Sequence, residues 1–221
     1  PFSITYAESY TPSVNSFYYS SGTHDISVSA YINPRSSNAY TSHFIPIASG
    51  DFDGDGKVDV VKVNGSVASG KGADVYLNSS SGNGNFSFGS AYNLSSSNDV
   101  GSVVVEDFNN DGKLDIAIGD NSSSNAGQVF KNSSTSGSLN FNTSSTTTVG
   151  ASYVNRLTTA DVNNDGLQDI IYAGSYASTI SVALNTTSSS GGSITFGSAQ
   201  TLISGLSGCR GFVIGDLNND G

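Results

Sequence analysis

Asp51-Phe52-Asp53-Gly54-Asp55-Gly56-Lys57-Val58-Asp59 places four carboxylates within nine residues. The pattern returns at 107–115 and 161–169, and its first six positions return at 216–221. We call these segments the first, second, third and fourth loops and number the positions in each from 1 to 9. Asp or Asn occupies positions 1, 3 and 5 of every loop, Gly occupies position 6, and Asp occupies position 9 of the three complete copies.

This spacing predicts sites for a hard divalent cation. Side-chain oxygens at positions 1, 3 and 5, followed by a Gly that permits a sharp turn, match the opening of a calcium loop. Position 7 would add a backbone carbonyl, and position 9 a closing carboxylate. The predicted Ca²⁺ ligands are Asp51, Asp53, Asp55, Lys57 and Asp59; Asp107, Asn109, Asp111, Lys113 and Asp115; and Asp161, Asn163, Asp165, Leu167 and Asp169. Asp216, Asn218 and Asp220 supply only the first half of a fourth site.

The loops do not belong to EF-hands. An EF-hand closes with a bidentate Glu at position 12, where this chain has Lys62, Ile118 and Tyr172. Short β-branched runs follow each complete loop, so we expect a strand there and not a helix. Asp, Asn and Gly also form turns without any metal, and a single copy would leave that alternative equally good. The recurrence of the whole pattern favours calcium.

Composition narrows the class of protein. The formal charge of −10, with only 8 Lys and Arg, argues against a nucleic-acid partner. There is no run of about eighteen apolar residues, so we expect no insertion into a membrane. The two histidines, His24 and His43, have no Cys or second His at ligand spacing, and we find no catalytic set of side chains. We therefore predict a protein that is not an enzyme.

The period of the repeat predicts the fold. The first aspartates of successive loops lie 56, 54 and 55 residues apart. Within each unit an apolar strand ends in Asn, at Asn78, Asn132 and Asn185, and a further strand follows in two units, at 88–94 and 196–202. Units of four short antiparallel strands are typical of β-propeller blades. A parallel β-solenoid is the alternative, but its repeats are much shorter.

We thus predict an all-β chain forming a single propeller domain over 1–221, with part of the propeller in this chain. The blades are expected at about 1–41, 42–98, 99–152 and 153–207, and an incomplete blade begins at 208. The first blade is degenerate: its loop positions hold Glu8, Tyr10, Pro12 and Ser16, so we expect no metal there. Because the last blade stops inside its own loop, we expect the native chain to continue beyond Gly221.

The loops, the four-strand period and the segments Phe88-Gly89 and Phe196-Gly197 resemble the FG-GAP/VCBS repeats of integrin-α-like β-propellers. The resemblance implies that each loop joins the first two strands of a blade and holds calcium. It also implies a secreted or cell-surface protein, because loops of this kind suit compartments with millimolar calcium.

The functional hypothesis is a non-enzymatic, calcium-stabilised extracellular module for adhesion, assembly, or glycan or protein binding. Two alternatives stay open: a propeller module of a secreted polysaccharide-active enzyme, and a subunit of an extracellular glycoprotein filament. N-glycosylation sequons, most of them in predicted loops, occur at Asn64, Asn78, Asn85, Asn93, Asn121, Asn132, Asn142 and Asn185.

Overall fold

A computed structural model describes residues 46–64, 71–82, 84–96, 100–120, 127–149, 154–174 and 179–206, together with Phe212 and Ile214. The chain divides into two compact units, 1–43 and 44–221, and every described residue belongs to the second. The predicted degenerate blade and the ligands Asp216, Asn218 and Asp220 lie outside the described residues. The single-domain organisation over 1–221 stays a prediction.

The described chain forms twelve strands in three four-stranded antiparallel sheets, each with its strands in sequence order. The first sheet holds β1 (Ile47–Gly50), β2 (Asp59–Asn64), β3 (Gly72–Tyr76) and β4 (Tyr92–Ser95). The second holds β5 (Val100–Glu106), β6 (Asp115–Asp120), β7 (Gly127–Asn132) and β8 (Phe141–Val149). The third holds β9 (Val154–Ala160), β10 (Asp169–Gly174), β11 (Ile180–Ala183) and β12 (Gln200–Ile203). This confirms the predicted all-β fold of four-stranded blades.

Each of the three complete loops joins the first and second strands of its sheet, as the resemblance implied. The hairpins close in the same register, with Gly50 opposite Asp59, Glu106 opposite Asp115 and Ala160 opposite Asp169. The second strands are the apolar runs that follow the loops, and every residue of β6 and β10 is buried. Their β-branched side chains suit a strand covered on both faces. The register therefore fixes position 9 at the buried start of each second strand.

The core lies between neighbouring sheets. One apolar cluster joins the first and second sheets and includes Phe52, Leu94, Ile116, Phe130 and Phe141, each at most 3% exposed. A second cluster joins the second and third sheets around Phe108, Val129, Val154, Ile170 and Ile194. Burying each such side chain stabilises the fold by about 1.5–3 kcal/mol. Sheets that pack face to face in succession are the arrangement of β-propeller blades.

The fourth strands differ from their predicted bounds. Phe88 and Phe196 precede β4 and β12, and each makes only an isolated bridge, to Asn78 and Asn185 respectively. In the second sheet β8 begins at Phe141, the position that matches these two phenylalanines. The sequence pattern did not predict a fourth strand in this unit, where Asn142 replaces the Gly of the Phe-Gly pair. No helix in the described part of the chain is long and apolar enough to cross a membrane.

Candidate metal-binding loops

The three complete loops share one hydrogen-bond frame. The position 1 carboxylate accepts bonds from the N–H groups of position 5, at 3.0–3.1 Å, and position 6, at 2.7–2.8 Å. The position 3 side-chain oxygen also accepts from position 5, at 3.1–3.2 Å. The position 5 carboxylate accepts from position 7, at 2.9–3.0 Å. In all three loops the chain therefore winds around its own acidic side chains.

Position 9 closes the frame from the buried side. One oxygen of Asp59, Asp115 or Asp169 accepts from the N–H of position 2, at 2.9–3.0 Å. The other oxygen accepts from the backbone N–H of the Asn that follows the third strand, at 2.7–2.8 Å. All three carboxylates are at most 1% exposed. A buried carboxylate with two N–H donors still carries an unbalanced negative charge, which is costly unless a cation lies nearby.

The turn depends on two left-handed residues. Position 6 is Gly with φ between 83° and 85° in all three loops, as its identity predicted. Position 4 is left-handed too, as Gly54 in the first loop (φ 74°) and as Asn110 and Asn164 in the others (φ 54° and 57°). Asn is one of the few residues with a side chain that enters this region readily. The sequence pattern predicted a sharp turn at position 6 but not the left-handed conformation at position 4.

In the first loop, the acidic side chains form a group that could hold a metal ion. Ligand oxygens of Asp51, Asp53 and Asp59 lie within 4.8 Å of one another. Asp55 is outside this group, because its carboxylate pairs with Lys57 Nζ at 2.8 Å. A small cleft runs beside the group; it is lined by residues 51–54 and by Gly112, Lys113 and Ser134 of the second sheet. The donor set is all oxygen, which suits Ca²⁺ better than a soft transition metal.

Burial and neighbouring charges shift the pKa values of several loop carboxyls. Burial raises the pKa of Asp115 to about 7, with smaller increases from Asp111 and Asp107, against the N–H bonds that favour the charged form. The pKa of Asp59 is raised in the same way, by burial and then by Asp53 and Asp51. The hydrogen bond with the Lys57 side chain lowers the pKa of the Asp55 carboxyl. Burial thus disfavours the charged form of the position 9 carboxyls Asp59 and Asp115.

The hairpin after the third strand of the next sheet covers each of the first two loops. In the first loop, Asp53 Oδ2 accepts from Gly137 N–H at 2.6 Å. In the second, Gly191 N–H donates to the carbonyl of Asn109 at 2.9 Å, and Asn109 Nδ2 donates to Gly192 O at 3.2 Å. The loops therefore lie at the interfaces between sheets, which the repeat period alone did not indicate.

The structure brings together Asp51, Asp53 and Asp59 and places the other predicted ligands of the complete loops in the shared frame. At position 7, Lys57 extends to Asp55 and Lys113 Nζ donates to the carbonyl of Ser134 at 2.7 Å. The sequence patterns did not mark Asn132 and Asn185 as residues that bind the loops, although they include the Asn that ends each third strand. They did not point to Lys131 either, whose ammonium lies 3.7 Å from Asp111.

Among the described residues, three of the sequon asparagines lie buried at or just after the end of a strand. Asn64, Asn132 and Asn185 are buried, at 4%, 1% and 2% exposure. The side-chain amides of Asn132 and Asn185 donate to backbone carbonyls, so the nitrogen that would carry a sugar is enclosed. Asn85, Asn93 and Asn142 are exposed, and Asn121 lies outside the described residues.

Comparison with known proteins supports a family assignment. No curated protein sequence matches the chain. A family model described as an FG-GAP-like repeat matches three overlapping segments, 51–118, 107–172 and 161–221. Each match begins at the position 1 aspartate of a loop, and the three together cover more than half of the chain. The resemblance noted from the loops and the Phe-Gly segments is confirmed, and the chain belongs to the FG-GAP-like repeat family.

Proposed function

We propose that this chain is a non-enzymatic, calcium-stabilised extracellular module that presents a rigid propeller surface to a protein or glycan partner, or to further copies of itself. The proposal rests on the hydrogen-bond frame that the three complete loops share. In the first of these loops, ligand oxygens of Asp51, Asp53 and Asp59 lie within 4.8 Å of one another. The ligands would be the side chains at positions 1, 3, 5 and 9 and the carbonyl at position 7. When bound, calcium would supply the positive charge that the buried position 9 carboxylates require.

An extracellular setting supports the same proposal. Loops of this type bind calcium weakly when their ligands include amides and exposed groups, so they fill where calcium is millimolar. At a hundredfold excess over Kd, each filled site would add about 2.7 kcal/mol to the free energy of unfolding. Three sites would then account for much of a typical stability of about 5–15 kcal/mol. Calcium would act here as a structural component and not in a reaction.

Thermal unfolding with calcium and with a chelator tests the proposal. We expect calcium to raise the midpoint by on the order of 10 °C or more, given ~2–4 °C per kcal/mol for a domain of this size. The matched control replaces position 5 in every complete loop, with Asp55→Ala, Asp111→Ala and Asp165→Ala. These changes remove a ligand from each site but keep the buried bonds of position 9, so the variant should lose most of the calcium response. An equal midpoint with and without calcium would contradict the proposal.

The partner class needs a separate measurement. If the partner is a sugar, the full chain should bind a glycan array in calcium and lose that binding in chelator. Sedimentation of the chain over a range of concentrations checks self-association. Catalytic turnover of any polysaccharide bound by the array would overturn the assignment as a non-enzyme.

A further inference from the structure

The second loop differs from the first in its charge. Its position 3 is Asn109 where the first loop has Asp53, so it offers three carboxylates instead of four. Each of the two loops has a lysine near its position 5 carboxylate: Lys57 Nζ lies 2.8 Å from Asp55 Oδ2 in the first, and Lys131 Nζ, on β7, lies 3.7 Å from Asp111 Oδ2 in the second. These carboxylates are the predicted position 5 ligands. The missing carboxylate, and a lysine that stays beside the loop, both reduce the negative potential that a divalent cation would meet in the second loop.

Lys131 is held in place by the next sheet. Its ammonium donates to the backbone carbonyls of Gly191 and Gly192, at 3.1 Å from the latter. These carbonyls belong to the hairpin of the third sheet that covers the second loop. The Lys131 side chain is 21% exposed, against 43% for Lys57, which pairs with Asp55 in the first loop. Lys57 can therefore turn into solvent more easily than Lys131.

The repeat itself does not require a lysine at this position. The residues that precede the Asn at the end of the third strand are Leu77 in the first unit, Lys131 in the second and Leu184 in the third. Leu184 packs against the apolar cluster of the third sheet. Lys131 is thus a charged residue at a position that the other two units fill with an apolar one.

We propose that Lys131 is a built-in cation of the second loop: it weakens calcium binding there and joins the second and third sheets when calcium is absent. The proposal rests on calcium binding by the loops, as set out under the proposed function. It ranks the first loop as the tightest calcium site and the second as the weakest. It also makes the interface between the second and third sheets less dependent on calcium than that between the first and second, where Asp53 accepts from Gly137.

The test compares Lys131→Met, which removes the charge at similar length, with Lys131→Arg, which keeps it. Hydrogen exchange of peptides from each loop, followed through a calcium titration of the full chain, reports each site separately. We expect Lys131→Met to tighten calcium binding at the second loop about tenfold, the effect of one nearby charge at a protein surface. The first and third loops should be unchanged, and Lys131→Arg should match the unsubstituted chain.

The calcium-free samples give a second readout. Without calcium, Lys131→Met should speed exchange in the hairpin around Gly191 and Gly192, whereas Lys131→Arg should not. Calcium could protect the loops while Lys131→Met leaves calcium affinity at the second loop unchanged or lowers it. That result would exclude the proposed role of Lys131 as a built-in cation, while the calcium proposal would stand. If calcium protects none of the loops, both proposals are overturned.

Discussion

The side-chain amide of Asn132 donates a hydrogen bond to the backbone carbonyl of Phe52, in the loop of the preceding sheet, at 2.8 Å. The same amide donates to Leu114 O in its own loop at 2.9 Å. Asn185 repeats the arrangement one sheet later, with bonds to Phe108 at 2.8 Å and Gln168 at 3.1 Å. One buried amide therefore joins two loops, and with them two sheets.

We predict that Asn132→Ala lowers the free energy of unfolding by about 3 kcal/mol. The change leaves two carbonyls, one buried and one partly buried, without their donor, and each such loss costs ~1–3 kcal/mol. Denaturant unfolding in calcium measures the effect. Asn78→Ala is the matched control, because among the described residues the Asn78 amide donates to a single carbonyl, Val58 O of its own loop, at 3.0 Å in an exposed setting. It should cost about 1 kcal/mol, and equal losses for the two variants would contradict the linking role.

The raised pKa of Asp115 predicts how the calcium-free protein responds to pH. Its folded value of about 7 lies above the ordinary value of ~3.9 for Asp, so the folded state holds a proton that the unfolded state has released. The stabilising contribution is complete below about pH 4 and is lost as pH rises towards 7. Asp59 acts in the same direction. The loss is on the order of 1 kcal/mol for each pKa unit of difference.

Unfolding of metal-free protein at pH 5 and pH 7.5 measures this effect. We expect lower stability at pH 7.5, with a smaller difference when calcium is present, because a bound cation favours the charged carboxylate. Asp115→Asn cannot titrate, so it should show a reduced pH dependence, whatever its absolute stability. A metal-free protein that becomes more stable between pH 5 and pH 7.5 would show that the carboxyl is ionised throughout.

The local structure of the loops could be predicted because it depends on residues that lie close together in the sequence. The 1-3-5-9 spacing and the Gly at position 6 fix a turn whose hydrogen bonds join residues at most seven apart. The β-branched runs after Asp59, Asp115 and Asp169 gave the second strands for the same reason. The strand bounds at β4 and β12 were less accurate, since Phe88 and Phe196 each form an isolated bridge and not part of a ladder.

The contacts between sheets could not be predicted in this way. Gly137 and Asp53 lie 84 residues apart, and no local pattern marks Gly137 as a donor to a loop. In the sequence, Lys131 is only a charged residue at a position that the other two units fill with Leu; the structure places the hairpin around Gly191 beside it. The repeat period predicts units that pack against one another, but only the packing itself identifies which residues contact a loop.

We predict that Gly119→Ala is destabilising by about 1–3 kcal/mol, the usual cost of overpacking. A Cβ on Gly119, in β6, would lie 2.6 Å from the backbone carbonyl of Val154, in β9 of the next sheet. A backbone atom cannot move aside as a flexible side chain can. Gly89→Ala is the control, because its Cβ would find its nearest neighbour, Leu77 O, at 3.8 Å. Thermal unfolding in calcium should separate the two variants; equal midpoints would show that the sheets move apart at little cost.

Substituting the phenylalanines that precede or begin the fourth strands tests whether packing between sheets is the main source of stability. Phe141 is 3% exposed and packs edge-on against Phe52 of the preceding sheet, with ring centroids 6.0 Å apart. Phe88 holds the matching position in the first sheet but is 38% exposed. We expect Phe141→Ala to cost about 3–5 kcal/mol and Phe88→Ala about 1 kcal/mol, since a cavity forms only where the ring is enclosed. Denaturant unfolding of both variants in calcium checks this. If both losses were equally small, the rings would matter for strand formation within a sheet and not for packing between sheets.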